Sequence, residues 1–125
     1  MSVRRMAVIM DPIESIKPYK DSSFAMLLEA QDRGWRMHYG QIHDIWLRDG
    51  EAFGNLSRLQ VVNDESNWFE LGDVAVTPLG DMDVILMRKD PPFDMEYVVA
   101  TYVLQRAEDQ GAVVVNRPQS LRDAN

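Results

Sequence analysis

Short apolar runs recur along the chain, and polar or proline-containing segments end them. Runs of four or five apolar residues bounded by turn-forming residues are typical of buried β-strands. Asp11-Pro12 ends the first run, because proline donates no ladder hydrogen bond and restricts the residue before it. We predict three strands of this kind, at residues 6–10, 84–87 and 112–115, and a further strand at residues 36–39.

Two longer segments repeat apolar residues at the spacing of an α-helix. The first covers residues 22–33, and Gly34 follows it in the place of a left-handed C-terminal residue. The second begins near Asp94, a suitable N-cap, and ends before Gly111. We expect its apolar stripe to consist of Met95, Val98, Val99, Tyr102, Leu104 or Val103, and Ala107.

The order of these elements predicts an α/β fold. A strand, a helix and a second strand follow one another at each end of the chain, which argues for parallel strands joined by right-handed crossovers. In the middle, Asp49-Gly50 between residues 45–48 and 51–53 predicts a β-hairpin. Further short strands are predicted at residues 59–62 and 74–76.

Composition narrows the classes of function. The chain has 125 residues, of which 46% are hydrophobic, as expected of one folded domain. Its formal net charge of −7 argues against nucleic-acid and anionic-membrane partners. There is no cysteine, and His38 and His43 lack the spacing of a zinc site, so we expect no metal site made by this chain. The first apolar run is too short for a signal peptide or a membrane span, so we expect a cytoplasmic protein.

The predicted strands end in residues that suggest a binding site. These residues are Asp11, Gly40, Arg88 and Asn116. Parallel strands end at one rim, where open α/β sheets bind ligands, so we predict a polar pocket for an anionic small molecule. Arg88 is the first candidate, because a planar guanidinium binds a carboxylate through two parallel hydrogen bonds. The alternative is a surface ion pair of Arg88 with Asp90 or Asp94.

Three further residues are candidates for substrate contact: Asp11, Asp90 and Ser23. Asp11 can accept a hydrogen bond from a substrate amine, although an aspartate before proline also shapes turns. Ser23 also fits a helix cap, and no elbow motif around it indicates a nucleophile. No glycine-rich motif follows the first strand, so a dinucleotide site is not predicted.

Four longer blocks resemble the N-terminal part of bacterial glutathione synthetases. They follow in the order and with the spacing of that family, and they comprise residues 8–13, 20–31, 83–94 and 115–123. The most specific segment is Met87-Arg88-Lys89-Asp90-Pro91-Pro92-Phe93-Asp94. Residues 41–80 resemble the family less closely.

The resemblance implies the domain that precedes the ATP-grasp domain in an ATP-dependent ligase. Its fold is a Rossmann-like parallel sheet flanked by helices on both faces, with an inserted β-hairpin excursion around residues 45–77. Residues 1–119 would form this domain, and residues 120–125 would begin the connection to the ATP-grasp domain. In this family Arg88 corresponds to an arginine that holds γ-glutamylcysteine.

The implied reaction joins γ-glutamylcysteine to glycine. ATP phosphorylates the cysteinyl carboxylate, the glycine amine attacks the acyl phosphate, and ADP and phosphate leave, while Mg²⁺ and lysines offset phosphate charge. In the family the groups that bind ATP and Mg²⁺ follow the segment represented here, so we expect this chain alone to be inactive. The resemblance also implies a homodimer or homotetramer.

Two other functions stay open. The chain holds no complete catalytic set, so it fits a non-catalytic module that binds a small molecule or another subunit. It also fits the leading domain of another ATP-grasp ligase, such as a D-alanine–D-alanine ligase, although the proline-rich segment after Arg88 argues against that.

Overall fold

The structure, a computed structural model, describes residues 3–15, 22–64, 66–88 and 94–116. Within these residues the chain forms a seven-stranded β-sheet and two α-helices, which confirms the α/β class. In chain order the elements are β1 (Arg5–Met10), α1 (Ser22–Asp32), β2 (Arg36–Gly40), β3 (Ile45–Arg48), β4 (Glu51–Val61), β5 (Phe69–Pro78), β6 (Val84–Arg88), α2 (Met95–Asp109) and β7 (Val113–Asn116). Neither described helix is long and apolar enough to cross a membrane.

Four neighbouring strands, in the order β2–β1–β6–β7, are parallel. They are the four strands predicted from the short segments of the sequence. β1 lies between β2 and β6, and its residues 6–10 are buried. This position explains the apolar run, because a central parallel strand is covered on both faces and needs apolar side chains on each.

The rest of the sheet is antiparallel, so the sheet is mixed. One edge of β4 pairs with β2 and β3, and its other edge pairs with β5. The structure therefore corrects the expectation of a parallel sheet with a separate hairpin excursion around residues 45–77. β4 is 11 residues long, so it extends the hairpin until it joins the main sheet. Of the predicted short strands, residues 59–61 belong to β4 and residues 74–76 belong to β5.

Asp49 and Gly50 form the two-residue turn between β3 and β4. Their φ angles are 51° and 78°. Turns with positive φ at both positions match the twist of a hairpin, and aspartate and glycine accept that conformation more readily than most residues. Arg48 and Glu51 pair directly across the turn, which confirms the predicted hairpin.

The two helices lie against opposite faces of the sheet. Side chains alternate between the faces along β1. Ala7 and Ile9 belong to a buried cluster that includes α2, whereas Met6, Val8 and Met10 belong to a second cluster that includes α1. To these clusters α2 contributes Ala100, Val103, Leu104 and Ala107, and α1 contributes Phe24, Leu27 and Ala30. β1 therefore lies at the centre of both cores.

The buried face of α2 differs from the predicted one. Val103, Leu104 and Ala107 are buried as expected, together with Ala100. The other predicted residues are exposed, with relative accessibilities of 72% for Met95, 40% for Val98, 52% for Val99 and 67% for Tyr102. The helix carries apolar residues on two sides, so periodicity alone does not decide which side faces the sheet.

Asp94 caps the N-terminus of α2. Its backbone is extended, and its Oδ1 accepts a hydrogen bond from the Tyr97 backbone N–H at 3.1 Å. Glu96 lies in the first turn, where a negative charge interacts favourably with the helix dipole. The predicted start of this helix is confirmed.

We expect Asp94→Ala to lower the free energy of unfolding by about 1 kcal/mol, because the Tyr97 N–H loses its acceptor at the helix end. Asp94→Asn is the matched control and should stay within about 0.3 kcal/mol of the wild type, because asparagine is an equally good N-cap. Denaturant unfolding of the three proteins measures the difference. Equal stability of Asp94→Ala and the wild type would contradict a stabilising cap.

Candidate functional site

The parallel pairing brings the carboxyl ends of four strands to one rim of the sheet. Arg88 at the end of β6 pairs with Met10, Gly40 at the end of β2 pairs with Ile9, and Asn116 at the end of β7 pairs with Met87. Asp11 follows β1 directly. The common rim that the sequence predicts is therefore present, and we call it the carboxyl rim.

Arg88 is buried at the carboxyl rim, with 6% of its surface exposed. It lies two residues after Leu86, which packs in the cluster on the α1 face. Side chains two positions apart on a strand share a face, so Arg88 also lies on the α1 face. A buried site has a lower effective dielectric constant than water, which strengthens the attraction between a guanidinium and a carboxylate.

The N-terminus of α1 lies at the same rim. β1 ends at this rim, whereas β2, which follows α1, begins at the opposite rim with Arg36 beside Arg5. The N-terminus of a helix carries partial positive charge, which favours anions. Ser23 belongs to the first turn of α1, but the structure describes its backbone alone, and Asp90 lies outside the described residues. Contacts of Ser23 and Asp90 with a substrate stay predictions.

Residues 11–15, which follow β1, have a defined conformation at the carboxyl rim, and we call them the β1 exit segment. Residues 13–15 form a 3-10 turn. Asp11 is half-buried and the Ile13 side chain is fully buried. The Ser15 backbone N–H and hydroxyl both donate to the Pro12 carbonyl, at 2.9 Å and 2.7 Å.

Tyr39 connects β2 to the β1 exit segment. Its hydroxyl accepts a hydrogen bond from the Ile13 backbone N–H at 3.1 Å and donates to the Asp11 carbonyl at 3.5 Å. Burial raises the pKa of Tyr39; the Ile13 hydrogen bond opposes this shift, and the nearby charges of Glu14 and Asp44 add to it. The phenol therefore keeps its proton at neutral pH and can donate and accept at once. Sequence reasoning missed this residue, which it treated as an ordinary strand position.

His38 lies away from this site. It pairs with Ala7, which packs on the α2 face, so His38 points to the side of the sheet opposite to Arg88. Partial burial and the nearby cations Arg58, Arg5 and Arg36 lower the pKa of His38 from 6.5 to about 4. The imidazole is therefore neutral at neutral pH.

An apolar groove of about 480 Å³ lies along α1. Its lining residues are Met6, Ala25, Met26, Glu29, Ala30, Arg33, Trp35 and Val84. The two charged members, Glu29 and Arg33, form an exposed ion pair with each other at 2.7 Å. The groove therefore offers less to an anionic ligand than the carboxyl rim does.

No described residues form a group of three or more histidine, aspartate or glutamate side chains arranged to hold a metal ion.

Comparison with known proteins identifies a matching family. A family model described as the N-terminal domain of prokaryotic glutathione synthetase matches residues 5–122. This range contains the described strands and helices.

Three relatives, each named glutathione synthetase, match almost the whole chain. The protein from Yersinia pestis is 56% identical over 121 residues, which are 97% of this chain and 38% of the relative. The protein from Shewanella oneidensis is 54% identical over 121 residues, with the same two coverages of 97% and 38%. The protein from Pseudomonas putida is 55% identical over 125 residues, which are 100% of this chain and 39% of the relative. The chain thus spans about two fifths of the length of these relatives.

The lowered pKa of His38 makes stability depend on pH. The unfolded chain takes up a proton at His38 near pH 6.5, whereas the folded chain does so near pH 4. The unfolded state therefore binds more protons between these values, and stability falls as the pH falls from 6.5 towards 4. Because the side chain is partly exposed, solvent screening limits the loss to about 1 to 2 kcal/mol.

Between pH 6.5 and pH 4, we expect the free energy of unfolding of His38→Gln to fall by about 1 to 2 kcal/mol less than that of the wild type. The reason is that glutamine does not titrate. Urea unfolding of both proteins at neutral pH and near pH 4 measures the difference. His43→Gln, a substitution of an exposed histidine, is the control and should follow the wild-type profile. Parallel profiles for the wild type and His38→Gln would contradict the lowered pKa.

Proposed function

Because the chain belongs to the prokaryotic glutathione synthetase family, in which it matches the N-terminal domain, we propose that it is the substrate-binding domain of a glutathione synthetase. The proposed reaction is the ligation of γ-glutamylcysteine to glycine, with hydrolysis of ATP to ADP and phosphate. The chain spans 38% to 39% of the relatives' length, so the whole activity is proposed for a longer protein that contains it.

The observation that carries this proposal is the position of Arg88. Its side chain is buried on the α1 face of the carboxyl rim, beside the β1 exit segment. γ-Glutamylcysteine carries two carboxylates, and a guanidinium can bind one of them through two parallel hydrogen bonds, which fixes its position and orientation. We assign this binding and orienting role to Arg88, with Asp11, Asp90 and Ser23 as further candidate contacts.

The proposed chemistry proceeds through an acyl phosphate. The γ-phosphoryl group of ATP is transferred to the cysteinyl carboxylate, and ADP is released. The glycine amine then attacks the acyl carbon, loses a proton, and displaces phosphate as the peptide bond forms. Arg88 contributes by holding the dipeptide in a fixed geometry, which lowers the entropic cost of bringing the reacting groups together.

We assign ATP and Mg²⁺ binding to an ATP-grasp domain in the part of the longer protein that this chain does not span. When bound, Mg²⁺ offsets the charge of the phosphates. This chain alone is therefore proposed to be inactive, with residues 1–119 as a Rossmann-like substrate domain and residues 120–125 as the start of the connection.

The proposal also covers the cellular location, the oligomeric state and the substrates of the enzyme. We infer a cytoplasmic homodimer or homotetramer with γ-glutamylcysteine and glycine as substrates. The support is the family resemblance, and the formal net charge of −7 agrees with the absence of a nucleic-acid partner. The relatives are named glutathione synthetase, which favours γ-glutamylcysteine over D-alanine as the substrate.

We expect Arg88→Ala in the full-length protein to raise the KM for γ-glutamylcysteine by about 10-fold to 150-fold, because a charge-assisted hydrogen bond contributes about 1.5–3 kcal/mol. Steady-state kinetics with γ-glutamylcysteine as the varied substrate measures this change. Because Arg88 is buried, Arg88→Lys is included as a variant that keeps the charge but not the planar fork, and its KM should be intermediate.

The control is Arg33→Ala, which removes an exposed arginine near the far end of α1. It should leave the KM unchanged. Wild-type values of both KM and kcat in Arg88→Ala and Arg88→Lys would exclude the assigned role of Arg88.

A further inference from the structure

The hydroxyl of Tyr39 joins two segments that are far apart in sequence. It bonds to Ile13 and Asp11, which lie 26 and 28 positions away along the chain. Tyr39 is 7% exposed and packs in the cluster on the α1 face. This is the face on which Arg88 lies, so the hydroxyl supports the β1 exit segment on the Arg88 side of the sheet.

The apolar packing at this position does not require a hydroxyl. Phenylalanine has nearly the same shape, and burying a hydroxyl costs free energy unless it makes hydrogen bonds. Here the hydroxyl has both a donor and an acceptor partner in the β1 exit segment. Its contribution is therefore directional: it fixes the position of the backbone from Asp11 to Ile13.

Other contacts already attach the β1 exit segment to the fold. The Ile13 side chain is fully buried, and Ser15 bonds to the Pro12 carbonyl. These contacts involve Pro12, Ile13 and Ser15. The bond from Tyr39 to the Asp11 carbonyl acts where the chain leaves β1, next to the pair formed by Met10 and Arg88.

We propose that Tyr39 is a positioning residue for the substrate site, because its hydroxyl holds the Asp11–Ile13 backbone at the distance from Arg88 that a bound γ-glutamylcysteine requires. This inference rests on the proposed function. Tyr39 itself does not touch the substrate. It acts through the backbone of residues 11–13, which follows Met10, the residue paired with Arg88.

The test is Tyr39→Phe in the full-length protein. The KM for γ-glutamylcysteine should rise about fivefold to tenfold, because Tyr39→Phe removes the hydrogen bonds to Ile13 and Asp11, and the net contribution of such bonds is modest. The value of kcat and the KM values for ATP and glycine should stay within about twofold of the wild type, because the substitution does not reach those sites. Tyr102→Phe is the matched control: this tyrosine is 67% exposed, and its substitution should change none of these constants.

A local readout tests the contact itself. Hydrogen exchange of the Ile13 amide should be faster in Tyr39→Phe, because this amide loses its acceptor. In Tyr102→Phe it should exchange at the wild-type rate. An unchanged exchange rate in Tyr39→Phe would overturn the proposal, because it would mean that the hydroxyl does not hold the segment.

Two kinetic outcomes would also overturn the proposal. The first is a lower melting temperature with an unchanged KM for γ-glutamylcysteine, which is the result expected of a purely structural tyrosine. The second is a similar rise in the KM for all three substrates. Arg88→Ala, measured in parallel, separates this inference from the proposed function: if Arg88→Ala raises the KM and Tyr39→Phe does not, only the role of Tyr39 fails.

Discussion

The structure depends on the parallel pairing of β1 with β2 on one side and β6 on the other. β1 can occupy this position because residues 6–10 are apolar on both faces, so each face can be covered by a helix and its side chains. The pairing also sets the register of the strand ends. Met10 lies beside Arg88, and Ile9 lies beside Gly40, so residues that are far apart in sequence meet at the carboxyl rim. A shift of one residue would turn every side chain of β1 to the other face, and both cores oppose such a shift.

The same pairing gives the candidate site its chemistry. Arg88 continues the α1-facing side of β6, which is otherwise apolar, so its guanidinium is held in a buried position at the end of a rigid strand. A cation fixed in this way can select a carboxylate by geometry as well as by charge. The β1 exit segment forms another part of the candidate site around Arg88. Tyr39 attaches that segment to the neighbouring strand β2. We therefore propose that the chain binds an anionic dipeptide, and we assign the phosphate chemistry to the rest of the longer protein.

Much of this architecture could be predicted from particular residues. The buried strands follow from short apolar runs, the hairpin from Asp49-Gly50, and the start of α2 from Asp94. The length of β4 was missed, because Gly54, Asn55 and Arg58 interrupt the pattern of a single strand. The buried face of α2 was partly wrong, because the helix is apolar on two sides. The carboxyl rim could be predicted once the strands were taken as parallel. The contact of Tyr39 with Ile13 could not, because it depends on how two strands align across 26 positions of sequence.

The most direct measurement is a crystal structure of the full-length protein with γ-glutamylcysteine bound. We expect both terminal nitrogens, or one terminal nitrogen and Nε, of the Arg88 guanidinium to lie about 2.7–2.9 Å from the oxygens of one substrate carboxylate. We also expect the β1 exit segment to border the same dipeptide. A dipeptide bound elsewhere, with the Arg88 guanidinium in contact with protein groups alone, would contradict the proposed role of Arg88.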